Sequence, residues 1–172
     1  MAIYALGDRE PTIHPSAFVH PDATIIGSVE IGAEASIWPQ AVLRGDDGRI
    51  VVGERTSIQD GSVLHCTAEL DTIVGADCVV GHIVHLEGCT IEDGSLVGNG
   101  SIVLHRAIVR SGAVVGSNAV VTNDMEVPAK SLALGIPAKI RPDAAPDGLI
   151  TDAAASYVAR AERYGRDLRR ID

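Results

Sequence analysis

From Ile13 onward an aliphatic residue returns every six positions, at Ile13, Val19, Ile25, Ile31, Ile37 and Leu43. After three extra residues the register resumes at Val52, Ile58 and Leu64, and after four more at Val74, Val80 and Leu86. One residue is then dropped, and the series continues through Ile91, Val97, Val103, Val109, Val115, Val121 and Val127. Four positions after each aliphatic the residue is usually small, as at Ala17, Ala23, Ala35, Ser62, Ser95, Ala107 and Ala113. A period of six fits neither a helix, with about 3.6 residues per turn, nor an alternating strand. It fits a solenoid of short strands and turns in which like positions stack from coil to coil. Carried through 19 hexads, the repeat predicts an all-β solenoid.

Pro128, Pro137, Pro142 and Pro146 gather where the repeat fades, so the solenoid should close near Leu134 and a linker run to Gly148. From about Thr151 to Arg170 the residues Tyr157, Ala161, Tyr164 and Leu168 fall on one helical face, with Arg and Glu on the other. That spacing predicts an amphipathic α-helix packed along the solenoid. The expected division is residues 1–141 for the β-helix domain and residues 142–172 for the linker and C-terminal helix.

Hexapeptide repeats close three hexads into one triangular coil, which gives about six coils from the 19 hexads. In this the chain resembles the left-handed parallel β-helix proteins, and the handedness follows from the resemblance alone. Residues separated by three hexads then lie on one side of the prism, one strand spacing of roughly 4.8 Å apart. Arg44, His65 and Glu87 each follow an inward aliphatic and fall in one outward column. His82 belongs to another side, in a column with Asp60 and Asn99. His65 and His82 of one chain thus leave different faces, and a symmetric homotrimer would bring them together across a subunit interface. The same offset sets Arg44 opposite Asp60 of a neighbour.

Composition narrows the partners. The apolar fraction is 46% while aromatics make up only 3%, as thin repeated layers filled by Val, Ile, Leu and Ala require. A net charge of -9 with no basic tract argues against nucleic acid or an anionic membrane as a partner. No apolar run approaches a membrane span or a leader's apolar segment, so the expectation is a cytoplasmic protein. The three cysteines, Cys66, Cys78 and Cys89, are an odd number without CxxC spacing, which points to packed, reduced thiols.

The segments L-R-G-D-D (Leu43 to Asp47), I-Q-D-G-S-V-L-H (Ile58 to His65), V-G-H (Val80 to His82) and G-I-P-A-K (Gly135 to Lys139) together resemble the gamma-class carbonic anhydrases. The resemblance covers roughly Ile3 to Arg141 and, more weakly, the C-terminal helix. It implies that Arg44 and Asp46, with Asp60, organise a trimer interface, and that His65 and a neighbour's His82 bind zinc. It implies catalytic parts for Gln59 beside the metal water, for Asp47 in proton transfer, and for Tyr157 on the helix. At the third ligand the chain departs from that family: Glu87 stands where the family has histidine, and a histidine appears instead at His85. Two histidines and a glutamate form an accepted zinc set, so Glu87 is the expected third ligand, with His85 as the alternative and iron(II) or cobalt as alternatives to zinc.

These readings lead to zinc-dependent hydration of carbon dioxide to bicarbonate at a trimer interface, weakened by the carboxylate at Glu87. A hexapeptide-repeat acyltransferase is the alternative; it shares the trimer but needs a histidine base and a protruding loop, which interruptions of three and four residues do not provide. A non-catalytic metal-binding or assembly scaffold is a third reading.

Overall fold

In a computed structural model, which describes residues 2–172, the chain winds into a left-handed parallel β-helix followed by one helix. Three columns of inward aliphatics build it. One column stacks Ile25, Leu43, Leu64, Leu86, Val103 and Val121. The second stacks Ile13, Ile31, Val52, Val74, Ile91, Val109 and Val127. The third stacks Val19, Ile37, Ile58, Val80, Val97 and Val115. Apart from the terminal Ile13 and Val19, every one of them is buried. The small residue four positions on turns the corner between faces, where Ala23, Ala35, Ala41, Ala107, Ala113 and Ala119 are fully buried. Serine serves the same corner when its hydroxyl is satisfied: Ser62 Oγ donates to the Gly81 carbonyl at 2.7 Å and accepts the Val84 N–H at 3.0 Å.

Each face carries seven parallel rungs, two more in all than the 19 hexads supply. One is Ala2–Tyr4, which pairs with Thr24–Ile26 on the first face ahead of the first aliphatic of the repeat; the other is Leu132–Leu134, which pairs with Val114–Val115 on the third face after the last. The two interruptions are absorbed differently. The first becomes part of one long strand, Val42–Val52, which bends from the first face to the second. At that bend glycine is obligatory, because a Cβ on Gly45 would stand 2.5 Å from the Ser28 carbonyl oxygen and one on Gly27 2.2 Å from the Gly45 oxygen. The second interruption forms a tight turn closed by Thr67 N–H to the Leu70 carbonyl at 3.0 Å. Neither projects as a long loop.

The helix spans Leu149–Asp167 and lies on the third face, burying Ile150, Ala154 and Ala161. Four of the chain's five aromatic residues meet there. Trp38 packs against Tyr164 at 5.1 Å, Phe18 at 5.4 Å and Tyr157 at 5.7 Å between ring centroids. The buried Trp38 indole N–H is satisfied by Ser36 and Ser57 Oγ, each at 3.0 Å. Leu168 does not complete the apolar stripe: its backbone is already extended, and it is 46% exposed. No helix among the described residues is long and apolar enough to cross a membrane.

Candidate functional site

The long strand Val42–Val52 and the strands Val63–His65 and His85–Glu87 lie side by side on the first face. Their register pairs Arg44 with His65 and His65 with Glu87. With Leu43, Leu64 and Leu86 turned inward, the pleat turns all three of these side chains outward. His65 sits between two carboxylates, with Nδ1 2.8 Å from Glu87 Oε1 and Nε2 3.0 Å from Asp46 Oδ1. Arg44 contacts Asp46 from the other side. Glu87 holds its carboxyl below the ordinary glutamate value, first through the His65 bond, against the opposing effect of burial. Burial pushes the Asp46 carboxyl up, but the bonds from His65 and its own backbone, with the charge of Arg44, together hold it below its usual value.

Glu87 gathers further imidazoles. His85, two residues back on the same outward side, places Nε2 3.3 Å from Glu87 Oε2. His105 places Nε2 3.7 Å from the same oxygen, and this nitrogen is a buried polar atom with no hydrogen-bond partner. His105 was not among the candidates that the sequence singled out. The available signal was Gly88, one rung below it: with no side chain there, His105 leans back towards Glu87, and a Cβ on Gly88 would meet His105 Cδ2 at 3.0 Å.

His82 lies elsewhere, just after the third-face strand Val79–Val80. Its Nδ1 is 2.9 Å from Asp60 Oδ2, one coil below, and its backbone N–H donates to Asn99 Oδ1 at 3.0 Å. A groove of about 720 Å³ runs along this corner, and its lining includes His82, Ile83, His85, Asn99, Ile102 and Asn118.

The candidates therefore divide into two groups. Arg44, Asp46, His65, His85 and Glu87 form one connected cluster; His82 and Asp60 form a separate dyad. Within one chain Asp60 bonds His82 and Arg44 contacts Asp46. Gln59 is buried, only 3% exposed, and not at the surface. Asp47 is exposed on the long strand. Tyr157 packs edge-on against Trp38 beneath the Arg160 guanidinium. Among the described residues no three His, Cys, Asp or Glu side chains are gathered into a ready metal set: the ring of His65 already meets a carboxylate at each nitrogen, and His82 leaves another face. The three cysteines are free and buried, and burial pushes the Cys89 thiol up to about 12.

Residues 10–45 match the family described as bacterial transferase hexapeptide (six repeats). Among solved structures, a hexapeptide transferase family protein from Anaplasma phagocytophilum is 34% identical, superposes with a TM-score of 0.90, and aligns over 95% of this chain and 98% of that one. A putative acetyltransferase from Bacillus cereus is also 34% identical, with a TM-score of 0.91 over 95% of this chain and 96% of its own. The carnitine operon protein CaiE of Escherichia coli is 47% identical over 91 residues, which are 53% of this chain and 46% of that protein. The chain thus spans about half the length of the curated relatives it matches.

Proposed function

Because the chain belongs to the hexapeptide transferase family, we propose that it is an acyltransferase whose general base is His82, oriented by Asp60. The observation that carries this reading is the dyad. Asp60 occupies Nδ1 at 2.9 Å, which fixes the ring and leaves Nε2 facing the groove to take a substrate proton. In the transfer, Nε2 removes the proton of an acceptor amine or hydroxyl as that atom attacks the carbonyl of a thioester donor. The C–S bond then breaks, and the thiolate recovers the proton from the imidazolium, whose charge Asp60 stabilises. The Asn99 side-chain oxygen is taken by the His82 N–H, so its amino group remains to donate to the carbonyl oxygen as charge develops there.

In this reading the groove lies between copies of the chain in a homotrimer. Support comes from the outward ladder Val42, Val63, Ile102 and Val120, interrupted only by His85. An apolar strip of this kind is ordinarily covered by a partner. The test is thiol release from acetyl-CoA with hydroxylamine as acceptor. His82→Ala should lower turnover by about 10²–10⁴-fold with the assembly retained. A wild-type protein that releases no thiol would refute the reading.

A second reading, carbon dioxide hydration, is favoured by the register that sets His65 against Glu87 and by the resemblance to the gamma-class carbonic anhydrases. One chain does not complete a metal set; His65 and Glu87, or His85 in its place, would need a second copy's His82, and Asp46 or Glu87 would have to release one His65 nitrogen. Zinc, iron(II) or cobalt bound there would supply a Lewis acid that acidifies water, less strongly beside a carboxylate than among neutral imidazoles. Gln59 and Tyr157, buried and packed on Trp38 respectively, have no direct part in this reading, whereas the exposed Asp47 is free to carry protons away. Metal analysis of the purified protein with a hydration assay tests it, and Glu87→His should raise activity at neutral pH. Protein free of metal and inactive in hydration would exclude it.

A further inference from the structure

Ten non-glycine residues among those described adopt a left-handed backbone, and nine of them are polar or charged residues such as Asn118, Asp77 and Lys130. The tenth is Ile83, at φ 57. A β-branched residue is a true outlier in that region, because its Cβ substituents crowd the neighbouring carbonyl. Packing does not offset the strain, since Ile83 is 73% exposed. Nor is the corner crowded. Its stacked neighbours are Gly61 below and Gly100 above, as the bonds Gly61 N–H to Pro39 O, Ile83 N–H to Asp60 O and Gly100 N–H to His82 O show. Even a Cβ on Gly61 would only touch Ile83 Cγ1, at 3.7 Å. The fold would be served as well by Asn or Gly, yet an apolar side chain stands alone between two glycines, one residue from His82. Uncompensated strain of this kind concentrates where a side chain acts on a ligand.

We infer that Ile83 sets acyl-chain specificity in the His82 groove, forming an apolar wall for an acyl group longer than acetyl. This rests on the acyl-transfer reading above. The attacking atom must come within roughly 3 Å of His82 Nε2, and the thioester carbonyl lies against it. The alkyl carbons beyond that carbonyl are then the apolar part of the reacting groups nearest to the residue that follows His82. The groove sets polar His85, Asn99, Ser117 and Asn118 beside two apolar side chains, Ile83 and Ile102; Ile83 directly follows His82 and is far the more exposed of the two, so it is where an alkyl chain next to the reacting carbonyl gains most by contact. The Gly61 and Gly100 corners leave room for the chain on either side. Each methylene taken out of water is worth up to roughly a fourfold gain in binding, so butyryl should exceed acetyl by about tenfold.

The experiment compares wild type with Ile83→Gly and Ile83→Asn, both of which accept the left-handed backbone. Specificity constants are measured for acetyl-, butyryl- and hexanoyl-CoA with hydroxylamine as acceptor, alongside melting temperature and sedimentation mass. The expected result is a wild-type preference of about tenfold for butyryl over acetyl that falls to near one in both variants, with mass retained and melting temperature unchanged or raised. An active wild type whose chain-length ratio is the same in the variants overturns the inference while leaving acyl transfer standing. Variants that fall apart into monomers and lose all three activities in parallel also overturn it, and show Ile83 to be a subunit contact. A wild type that turns over none of the thioesters refutes both readings.

Discussion

Asp60→Asn separates a catalytic dyad from a surface ion pair. The substitution keeps the shape and one hydrogen-bonding oxygen of Asp60 but removes the charge that faces His82 Nδ1 at 2.9 Å. The side chains are 44% and 48% exposed, so water screens the pair, and its worth to folding is about 0–1 kcal/mol. For a domain of this size that shifts the melting temperature by no more than about 4 °C. The effect on turnover should be far larger. An amide can present its amino group to Nδ1 and so favour the wrong tautomer, and it cannot stabilise an imidazolium; loss of base function costs on the order of 10²–10⁴-fold. The assay pairs thermal melting with thiol release from acetyl-CoA. A variant that melts normally and turns over at less than a hundredth of the wild-type rate supports the dyad. Full activity would remove Asp60 from the mechanism, and a fall of more than about 10 °C would show the pair to be structural.

Leu64→Ala, at a fully buried rung directly behind His65, should cost about 3–5 kcal/mol, as deletion of a packed leucine with little room to relax does; Val63→Ala, on the outward side of the same strand, should cost far less in a denaturation curve. Gly45→Ala should destabilise or prevent folding, because its Cβ would stand 2.5 Å from the Ser28 oxygen, and a variant that melts normally would show that the bend can open. Glu92 is held below the ordinary glutamate value of 4.5 by its bond to Arg110. A depressed folded-state value stabilises the fold above the unfolded value and is lost as pH falls through the folded one. Glu92→Gln should therefore be less stable than wild type at pH 7 and converge with it in melting experiments as the pH falls through the depressed folded-state value; a gap that persists in strong acid would assign the loss to packing.

The period of six determined the solenoid, its inward columns and the outward column Arg44, His65 and Glu87, because stacking makes like positions neighbours whatever the loops do. One short strand, Ala2–Tyr4, was illegible since it lies ahead of the first hexad of the repeat. The helix was legible as a stripe, but its end was not: Leu168 fits the spacing and yet lies past the last helical turn. The site divides on the same line. Register alone gave the strand neighbours of His65, Arg44 and Glu87, and the column arithmetic set His82 above Asp60. What it could not give was side-chain direction: that both nitrogens of His65 would be taken by carboxylates, that His105 would turn into the space above Gly88, or that Asp60 would leave Nε2 of His82 open. Nor does a sequence reveal that Ile83 occupies a left-handed corner where an apolar side chain gains nothing from the core. A repeat fixes which backbone positions stack, because one rule governs every coil. Rotamers, tautomers and corner strain depend on the residues that break the repeat, and only the folded neighbours decide them.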